Sequence, residues 1–194
     1  MAGSETCVSR QVAAVGGSDL TTLSLSAQPA ARRVTIPLQD SRHLYRFKLM
    51  TTRISPLVAN DRNDWEILAR GYKDFYQTPT ADSEFETAWR RLLREDGVFG
   101  LAYRADDHCV GFTHYLFHTS TWSPTVCYLQ DLFVAPTARG QGIARALIQR
   151  VAEHARTRAA NRLYWLTQDH NATARILYDK VAKFNGFLRY DFPL

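Results

Sequence analysis

The chain has 194 residues, of which 45% are hydrophobic and 22% are charged, and its formal net charge is +5. At about 100–200 residues per domain, this length predicts one domain, with or without a tail, and the apolar content excludes a wholly disordered or collagen-like chain. The mild basicity suits a small polyanionic ligand or a loose nucleic-acid contact, and it does not require nucleic acid.

The cysteines and the apolar runs narrow the class of protein further. Cys7, Cys109 and Cys127 form no CxxC pair and are too few for a disulfide framework, so reduced thiols are expected. The apolar runs are far shorter than the ~20 residues that a membrane helix needs. We therefore expect no membrane anchor and a cytoplasmic location, with the nucleus or an organelle as alternatives.

The composition changes near residue 50. Residues 1–50 are rich in Ser, Ala, Thr and Gly, lack Trp, and carry more basic than acidic side chains. This composition is typical of a flexible N-terminal extension. A transit peptide is the alternative, because such peptides carry Arg and Ser and are poor in acidic residues. Residues 51–194 are predicted to form the folded domain.

The patterned region alternates between the periodicities of strands and helices. Residues 52–58 predict a strand that Pro56 confines to an edge, and residues 61–75 predict a helix with apolar side chains every three or four positions. A second helix is predicted to begin at Ser83, whose spacing to Glu86 is that of a capping box. The rest of the chain predicts strands at 98–103, 109–117 and 126–134 around a turn at 105–108 and a loop at 119–124, then a helix at 142–158, a strand at 162–167, a helix at 171–184 and a last strand at 187–192. The order βααβββαβαβ indicates a mixed α/β fold with helices on both faces of a sheet.

One loop carries the chemical signal. A strand ends before Pro136, and the loop Arg139-Gly-Gln-Gly142 is followed at once by a helix. The first backbone N–H groups of that helix lack internal partners, and the helix dipole favours negative charge beside them. The glycines leave room for a ligand, while Arg139 and Arg145 add positive charge. The loop therefore predicts a cradle for a pyrophosphate, although it has neither the GxGxxG nor the P-loop pattern.

The same loop, Arg139-Gly-Gln-Gly-Ile-Ala144, matches the (Gln/Arg)-x-x-Gly-x-(Gly/Ala) signature of the GNAT superfamily of acetyl-CoA-dependent N-acetyltransferases. Downstream, the string YWLTQDHNATARILYDKVA, from Tyr164 to Ala182, resembles that family's next strand and helix, and Phe184-Asn-Gly-Phe187 resembles its ending. The chain is most similar to the histone, polyamine and amino-acid acetyltransferases. This resemblance implies a single GNAT-like domain, with a mixed central sheet that splays into a V between its fourth and fifth strands and helices on both faces.

The resemblance also implies how acetyl-CoA is held as the cosubstrate. The backbone of the fourth strand at Leu132, Phe133 and Val134 is expected to hold the pantetheine, and Asn171 to contact the pantetheine or order its loop. From its position alone, between a strand and a helix, Asn171 is an N-cap. No metal is expected. The backbone N–H groups that are expected to hold the pyrophosphate belong to Arg139, Gly140, Gln141, Gly142, Ile143 and Ala144.

Two residues are expected to move protons. By resemblance, Tyr178 faces the coenzyme sulfur and protonates the departing thiolate, whereas on helical spacing alone it would pack on the sheet. Asp131 is the first candidate for the base, because a carboxylate amid apolar strand residues needs a polar cleft or a structural partner. Three histidines are alternative bases: His114, His118 and His170.

Aromatic residues predict the acceptor pocket, since they hold alkylammonium groups through cation–π contacts. Tyr76, Trp122 and Gln130 are the expected substrate-binding residues, and Tyr72 and Tyr115 add aromatic character. The expected acceptor is a small primary amine, a polyamine or an amino acid, that attacks directly in a ternary complex. Gln130 stands where polyamine acetyltransferases often carry Glu, which puts polyamine selectivity in doubt.

Two other functions remain open at this point. A protein lysine or N-terminal acetyltransferase of the histone type is the alternative enzyme, and a non-catalytic CoA-binding regulatory module is the alternative of another class. A nucleic-acid binder ranks below both, because the arginines are spread along the chain. The expected partners are therefore a small amine and, by resemblance, a second copy of the chain in a homodimer, without nucleic acid or membrane.

Overall fold

The computed structural model describes residues 53–193, and the predicted extension over residues 1–50 lies outside them. The strands are β1 (Ile54–Pro56), β2 (Phe99–Ala105), β3 (His108–Ser120), β4 (Ser123–Val134) and β5 (Leu163–Tyr164). The helices are α1 (Arg62–Phe75), α2 (Asp82–Leu93), α3 (Ile143–Thr157) and α4 (Ala172–Val181), with short 3-10 turns at Ala59–Asp61 and Pro136–Ala138. Across residues 53–193, no helix has the length and apolar character needed to cross a membrane.

The five strands form one sheet in the order β1-β2-β3-β4-β5, antiparallel throughout except for the parallel pair β4–β5. The β2–β3 hairpin turns at Asp106 and Asp107, which have φ values of 48° and 67°. A two-residue hairpin with both central residues at positive φ matches the right-handed twist of its strands. The predicted mixed α/β class and the turn at 105–108 are confirmed.

Each face of the sheet has its own apolar core. On one face, α3 packs through Ile143, Leu147 and Val151 against the sheet. On the other face, Trp65 of α1 and Trp89 of α2 pack against the sheet beside one another, with ring centroids 4.9 Å apart. The helices therefore lie on both faces, as predicted, because the strands alternate apolar side chains toward each side.

An extra residue in β4 breaks the register between β3 and β4. His114 lies opposite Asp131 and Tyr115 lies opposite Leu129, so Gln130 has no partner and forms a β-bulge. A bulge bends its strand and increases the local twist. β5 pairs only with Cys127 and Tyr128, just before this bulge, and β4 then continues to Val134 without it. The predicted V between the fourth and fifth strands is confirmed.

Two predicted elements at the edges of the domain are wrong. Residues 187–192 form no strand, and Phe187, Tyr190 and Phe192 are exposed. Their alternating pattern fits a strand, but β5 has only two paired residues and offers little backbone for another strand to join. The predicted loop at 119–124 is also shorter than expected, since β3 runs to Ser120 and β4 begins at Ser123.

The cap of α2 differs from the predicted capping box at Ser83. The helix begins at Asp82, and the Glu84 carboxylate accepts the Ala81 backbone N–H at 2.8 Å. Glu86 instead forms ion pairs with Arg62 and Arg90. Two glutamates in the first turns compete for the cap, and the one nearer the true helix start takes it.

An ion pair ties the start of the domain to the sheet. Asp61, which is 4% exposed, accepts hydrogen bonds from the Val58 backbone N–H and from the Arg104 guanidinium on β2. Arg104 also donates to Ser55 and to the carbonyl oxygen of Pro56 in β1. A buried carboxylate of this kind depends on its cationic partner.

We predict that Arg104→Met lowers the free energy of unfolding by about 3–5 kcal/mol, because it leaves the Asp61 charge buried and unpaired. Urea denaturation followed by circular dichroism measures this change. The control is Arg150→Met, which removes an exposed pair with Glu153 and should cost less than about 1 kcal/mol. Equal effects of the two variants would contradict the prediction.

Candidate active site

The opening of the V brings together residues from three elements. The bulge at Gln130 changes the alternation of β4, so that Asp131 points toward α1 although Cys127 and Leu129 point toward α3. The carboxyl-terminal half of α1 supplies Tyr72, and the residue that caps its carboxyl end is Tyr76. From the other arm of the V, α4 supplies Tyr178, which packs against Trp165.

Asp131 lies in a network of hydrogen bonds. Its Oδ2 lies 2.9 Å from His114 Nδ1, and the Trp65 indole donates to His114 Nε2 at 2.9 Å. Burial acts to raise the pKa of the Asp131 carboxyl, but hydrogen bonds from His114 and Tyr72 and the charge of Lys73 lower it below its usual range. Asp131 is therefore a carboxylate at neutral pH.

The tyrosines of the site are all protonated at neutral pH. Burial, followed by the charge of Asp131 and a hydrogen bond to it, raises the pKa of Tyr72 well above its usual range. Burial also raises the pKa of Tyr76, against hydrogen bonds from Thr167 and Asn171 that act to lower it. These phenols can therefore donate hydrogen bonds into the cleft without losing their protons.

The start of α4 positions Tyr178. The Asn171 side chain accepts the Ala174 backbone N–H at 3.3 Å, so the N-cap expected from its position is confirmed. Its Nδ2 donates to Thr167 Oγ1 at 3.2 Å, which ties the helix to the chain leaving β5. Tyr178 packs against Trp165 with ring centroids 5.4 Å apart, and burial raises the pKa of Tyr178 to about 12.

The loop that precedes α3 has the geometry of an anion site. Gly140 and Gly142 have φ values of 77° and 83°, in the left-handed region that favours glycine. Among residues 53–193, no backbone or side-chain acceptor receives a hydrogen bond from the amides of residues 140–145. A Cβ added to Gly140 would have no heavy atom within 4 Å, so the space beside these amides is open. The loop fits a diphosphate, because unpartnered amides at a helix start bind anions.

The far end of β4 offers backbone groups to the cleft. β4 pairs with β3 along one edge, while along the other edge residues 129–134 have no strand partner among residues 53–193. This stretch contains Leu132, Phe133 and Val134. Arg139 Nε donates to the Val134 carbonyl at 3.1 Å, and its guanidinium lies 5.5 Å from the Phe133 ring centroid. The Arg139 side chain therefore fastens the anion loop to the end of β4.

Other sequence candidates lie outside this cluster. Trp122 is 94% exposed in the β3–β4 turn, about 30 Å from Asp131 at the roughly 3.3 Å rise per residue of a strand. Tyr115 is buried on the α3 face, where its hydroxyl lies 2.7 Å from His154. His118 contacts Tyr164 beside β5, and His170 is exposed before α4.

Three contributors to the cleft were absent from the predicted site: Trp65, Tyr128 and Thr167. Trp65 has the periodicity of an ordinary core residue of α1, so no sequence signal marks its indole N–H as a partner of His114. Tyr128 stacks on Tyr164 with centroids 5.0 Å apart, and burial raises its pKa. The one sequence signal that could have indicated Tyr128 as a site residue is its position three residues before Asp131.

Comparison with known proteins identifies the family. The model of the acetyltransferase (GNAT) family matches residues 65–184, so this chain belongs to the GNAT family. The membership predicted from the loop and helix motifs is therefore confirmed. The protein is an acetyl-CoA-dependent acyltransferase, and the anion loop and the unpaired edge of β4 suit the diphosphate and pantetheine of that cosubstrate.

Two relatives and one solved structure show how far the likeness extends. The chain is 30% identical over 142 residues to the D-amino-acid N-acetyltransferase HPA3 of Saccharomyces cerevisiae, which covers 70% of this chain and 88% of that enzyme. It is 31% identical over 96 residues to the thialysine N-epsilon-acetyltransferase of Caenorhabditis elegans, across 50% of this chain and 60% of that enzyme. AAC(6')-Iy, in complex with a bisubstrate analogue of CoA, has a TM-score of 0.65 over 73% of this chain and 97% of its own, at 17% identity. That structure supports the fold alone.

We predict that Gly140→Val raises the KM for acetyl-CoA about 10- to 100-fold, the effect of losing one charge-assisted hydrogen bond. The added side chain fills the space beside the amides, and the altered backbone conformation turns these amides away from the diphosphate. A thiol-release assay at varied acetyl-CoA measures it. The control is Gly97→Val, which also replaces a glycine at positive φ (74°) in open space, in the α2–β2 turn. An unchanged KM for Gly140→Val, or the same rise in both variants, would contradict the prediction.

Proposed function

We propose that the protein transfers the acetyl group of acetyl-CoA to the primary amine of a small cationic molecule, by direct attack in a ternary complex. The observation that carries this proposal is the Asp131 carboxylate at the opening of the V. Among residues 53–193 it forms no ion pair with a lysine or arginine, and Lys73 influences it only through its longer-range charge. A largely buried carboxylate without a cationic partner favours an ammonium group supplied by a ligand.

The surrounding side chains support the same acceptor. Tyr72 and Tyr76 have ring centroids 5.0 Å apart, and both respond to the charge of Asp131. Aromatic faces beside an anion suit an alkylammonium, which gains cation–π contacts as well as the ion pair. Tyr76 is the proposed substrate contact inside the cleft, and the exposed Gln130 of the bulge is the proposed contact at its rim. The position of Trp122 does not support a role for it in this cleft.

The amine must lose its proton before it attacks. Acetyl-CoA supplies a thioester carbonyl, which only an uncharged amine attacks. The Asp131 carboxyl, whose pKa is lowered below its usual range, is a much weaker base than a primary amine, so it does not retain the proton that the ammonium loses. Asp131 therefore holds the amine and accepts its hydrogen bond, and the proton passes from there to solvent. Asp131 therefore has a narrower role than the base predicted from the sequence, because it passes the proton on and does not keep it.

Tyr178 completes the proposed reaction at the sulfur. As the C–N bond forms and the C–S bond breaks, the leaving sulfur gains negative charge. Burial raises the pKa of Tyr178 to about 12, so its Oη keeps a proton throughout the pH range of an assay. Tyr178 donates that proton toward the departing sulfur, and solvent replaces it.

The relatives favour an amino acid as the acceptor class. The yeast enzyme is named for D-amino acids and the nematode enzyme for thialysine. Both names denote amines that belong to free amino acids. The presence of Gln130, rather than the Glu frequent in polyamine acetyltransferases, agrees with this choice. We therefore rank free amino acids above polyamines, and both above protein lysines.

We assign this activity to residues 51–194, with residues 1–50 as an extension. The resemblance implies a homodimer, and the cysteine content and short apolar runs favour a cytoplasmic location. The exposed apolar side chains after α4, which include Phe187 and Phe192, support association because soluble monomers rarely expose such patches.

Wild-type protein should acetylate free amino acids, thialysine among them, faster than polyamines or lysine peptides in a thiol-release assay. Asp131→Asn should raise the KM for the amine about 10- to 100-fold, because it removes the charge that holds the ammonium. The KM for acetyl-CoA should stay within about twofold. Asp64→Asn is the control, because the Asp64 carboxylate accepts the Cys109 backbone N–H beside the distant β2–β3 turn. Turnover of peptides alone would overturn the proposed acceptor class.

Tyr178→Phe should lower kcat about 100-fold, a typical contribution of a general acid, while the KM for acetyl-CoA changes little. Because the pKa of Tyr178 is about 12, wild-type kcat should show no loss from its ionisation up to about pH 10. Tyr103→Phe is the matched control, as Tyr103 is a buried tyrosine on β2. A full rate in Tyr178→Phe would remove this residue from the mechanism.

A further inference from the structure

We infer that His114, locked in one tautomer by Trp65, is a positioning residue that fixes the orientation and charge of the Asp131 carboxylate. The three side chains form a hydrogen-bonded chain from the core of the α1 face to the cleft. The inference rests on the proposed function, in which Asp131 holds the acceptor amine. It gives His114 a role different from the base expected from the sequence.

The tautomer follows from the chemistry of the donor. The indole Nε1–H of Trp65 can only donate, so His114 Nε2, at 2.9 Å, must present its lone pair. The ring proton of neutral His114 therefore resides on Nδ1, from which it is donated to Asp131 Oδ2 at 2.9 Å. With both nitrogens occupied, His114 has no lone pair left to deprotonate a substrate.

Packing leaves the hydrogen-bonded side chains of Trp65 and His114 little freedom to move. Trp65 is 1% exposed and His114 is 8% exposed, and the His114 ring stacks on Phe112 with centroids 4.5 Å apart. The ring therefore cannot rotate away from Asp131 without breaking a buried hydrogen bond to Trp65. Because Oδ2 of the carboxylate is bound to His114, Oδ1 is left for the amine.

Few other groups can control the charge of Asp131. The titratable side chains that influence Asp131, or that its charge influences, are Tyr72, Lys73, Tyr76, His114 and Tyr128, on α1, its carboxyl-terminal cap, β3 and β4. The three tyrosines are neutral, and Lys73 makes no ion pair with it. The hydrogen bond from His114 therefore keeps the carboxylate ionised within a partly apolar cleft, because it stabilises the charged form.

The test separates the donor from the shape of the ring. His114→Phe removes both polar contacts, whereas His114→Asn keeps an N–H near the Nδ1 position and His114→Gln moves its N–H toward the Nε2 position. Trp65→Phe removes only the indole donor. The control is His108→Asn, which alters the exposed His108–Asp64 pair, the other histidine–carboxylate contact of residues 53–193.

Two measurements apply to the full chain. Nitrogen-15 NMR of the histidine rings identifies which nitrogen carries the proton, and carboxyl carbon-13 NMR follows the titration of Asp131. The wild type should show His114 with its proton on Nδ1. His114→Phe and His114→Gln should raise the pKa of Asp131 by about one unit or more, whereas His114→Asn and His108→Asn should shift it by less than about half a unit.

Kinetics should follow the same order. The acidic limb of kcat/KM for the amine should move to higher pH in His114→Phe and stay in place in His114→Asn, with the KM for acetyl-CoA unchanged. A wild-type His114 with its proton on Nε2, or an Asp131 titration that is the same in His114→Phe, would overturn the inference. If His114→Phe does not fold, two NMR results still test the inference: the tautomer of His114 in the wild type, and the change of that tautomer in Trp65→Phe. If no amine is acetylated, the proposed function fails, while both NMR results stand on their own.

Discussion

The bulge at Gln130 is the constraint on which the rest of the site depends. A strand with regular alternation would carry the Asp131 side chain to the same side as Cys127 and Leu129, into the apolar core beneath α3. One extra residue turns Asp131 to the α1 face, opposite His114, and bends β4 away from β5. The same local insertion therefore opens the V and supplies its carboxylate.

A carboxylate at the floor of an aromatic cleft needs polar partners, and the structure supplies them from the core. Trp65 and His114 provide a buried hydrogen-bond chain that ends on one oxygen of the Asp131 carboxylate. The carboxylate consequently provides a negative charge where the proposed ammonium group would bind. A few residues further along, past the end of β4 at Val134, the positive end of α3 and its open amides favour the opposite charge. The proposed site of the cationic acceptor and the loop that suits the anionic cosubstrate therefore differ in charge.

Parts of the site could be predicted from local pattern because they depend on backbone geometry. Gly140, Gly142 and the helix start define the anion loop within a few residues of sequence, and Asn171 caps α4 as its position indicated. Trp122 could not be placed in the same way. Its aromatic character fits an amine pocket, but its location in a tight turn at the opposite end of β4 follows from how far β3 and β4 extend.

The sequence by itself determined the mixed α/β class, the GNAT motifs and the residue types that serve the cleft, because periodicity and short loops act over a few neighbouring positions. Only the tertiary structure decided which histidine meets Asp131, which tyrosines share its cleft, and that residues 187–192 form no strand. Those outcomes depend on the register between strands, and a single unpaired residue changes the face on which a side chain lies. No local pattern in β4 reports that register, since it is set by the pairing of β4 with β3 and the packing of both against α1.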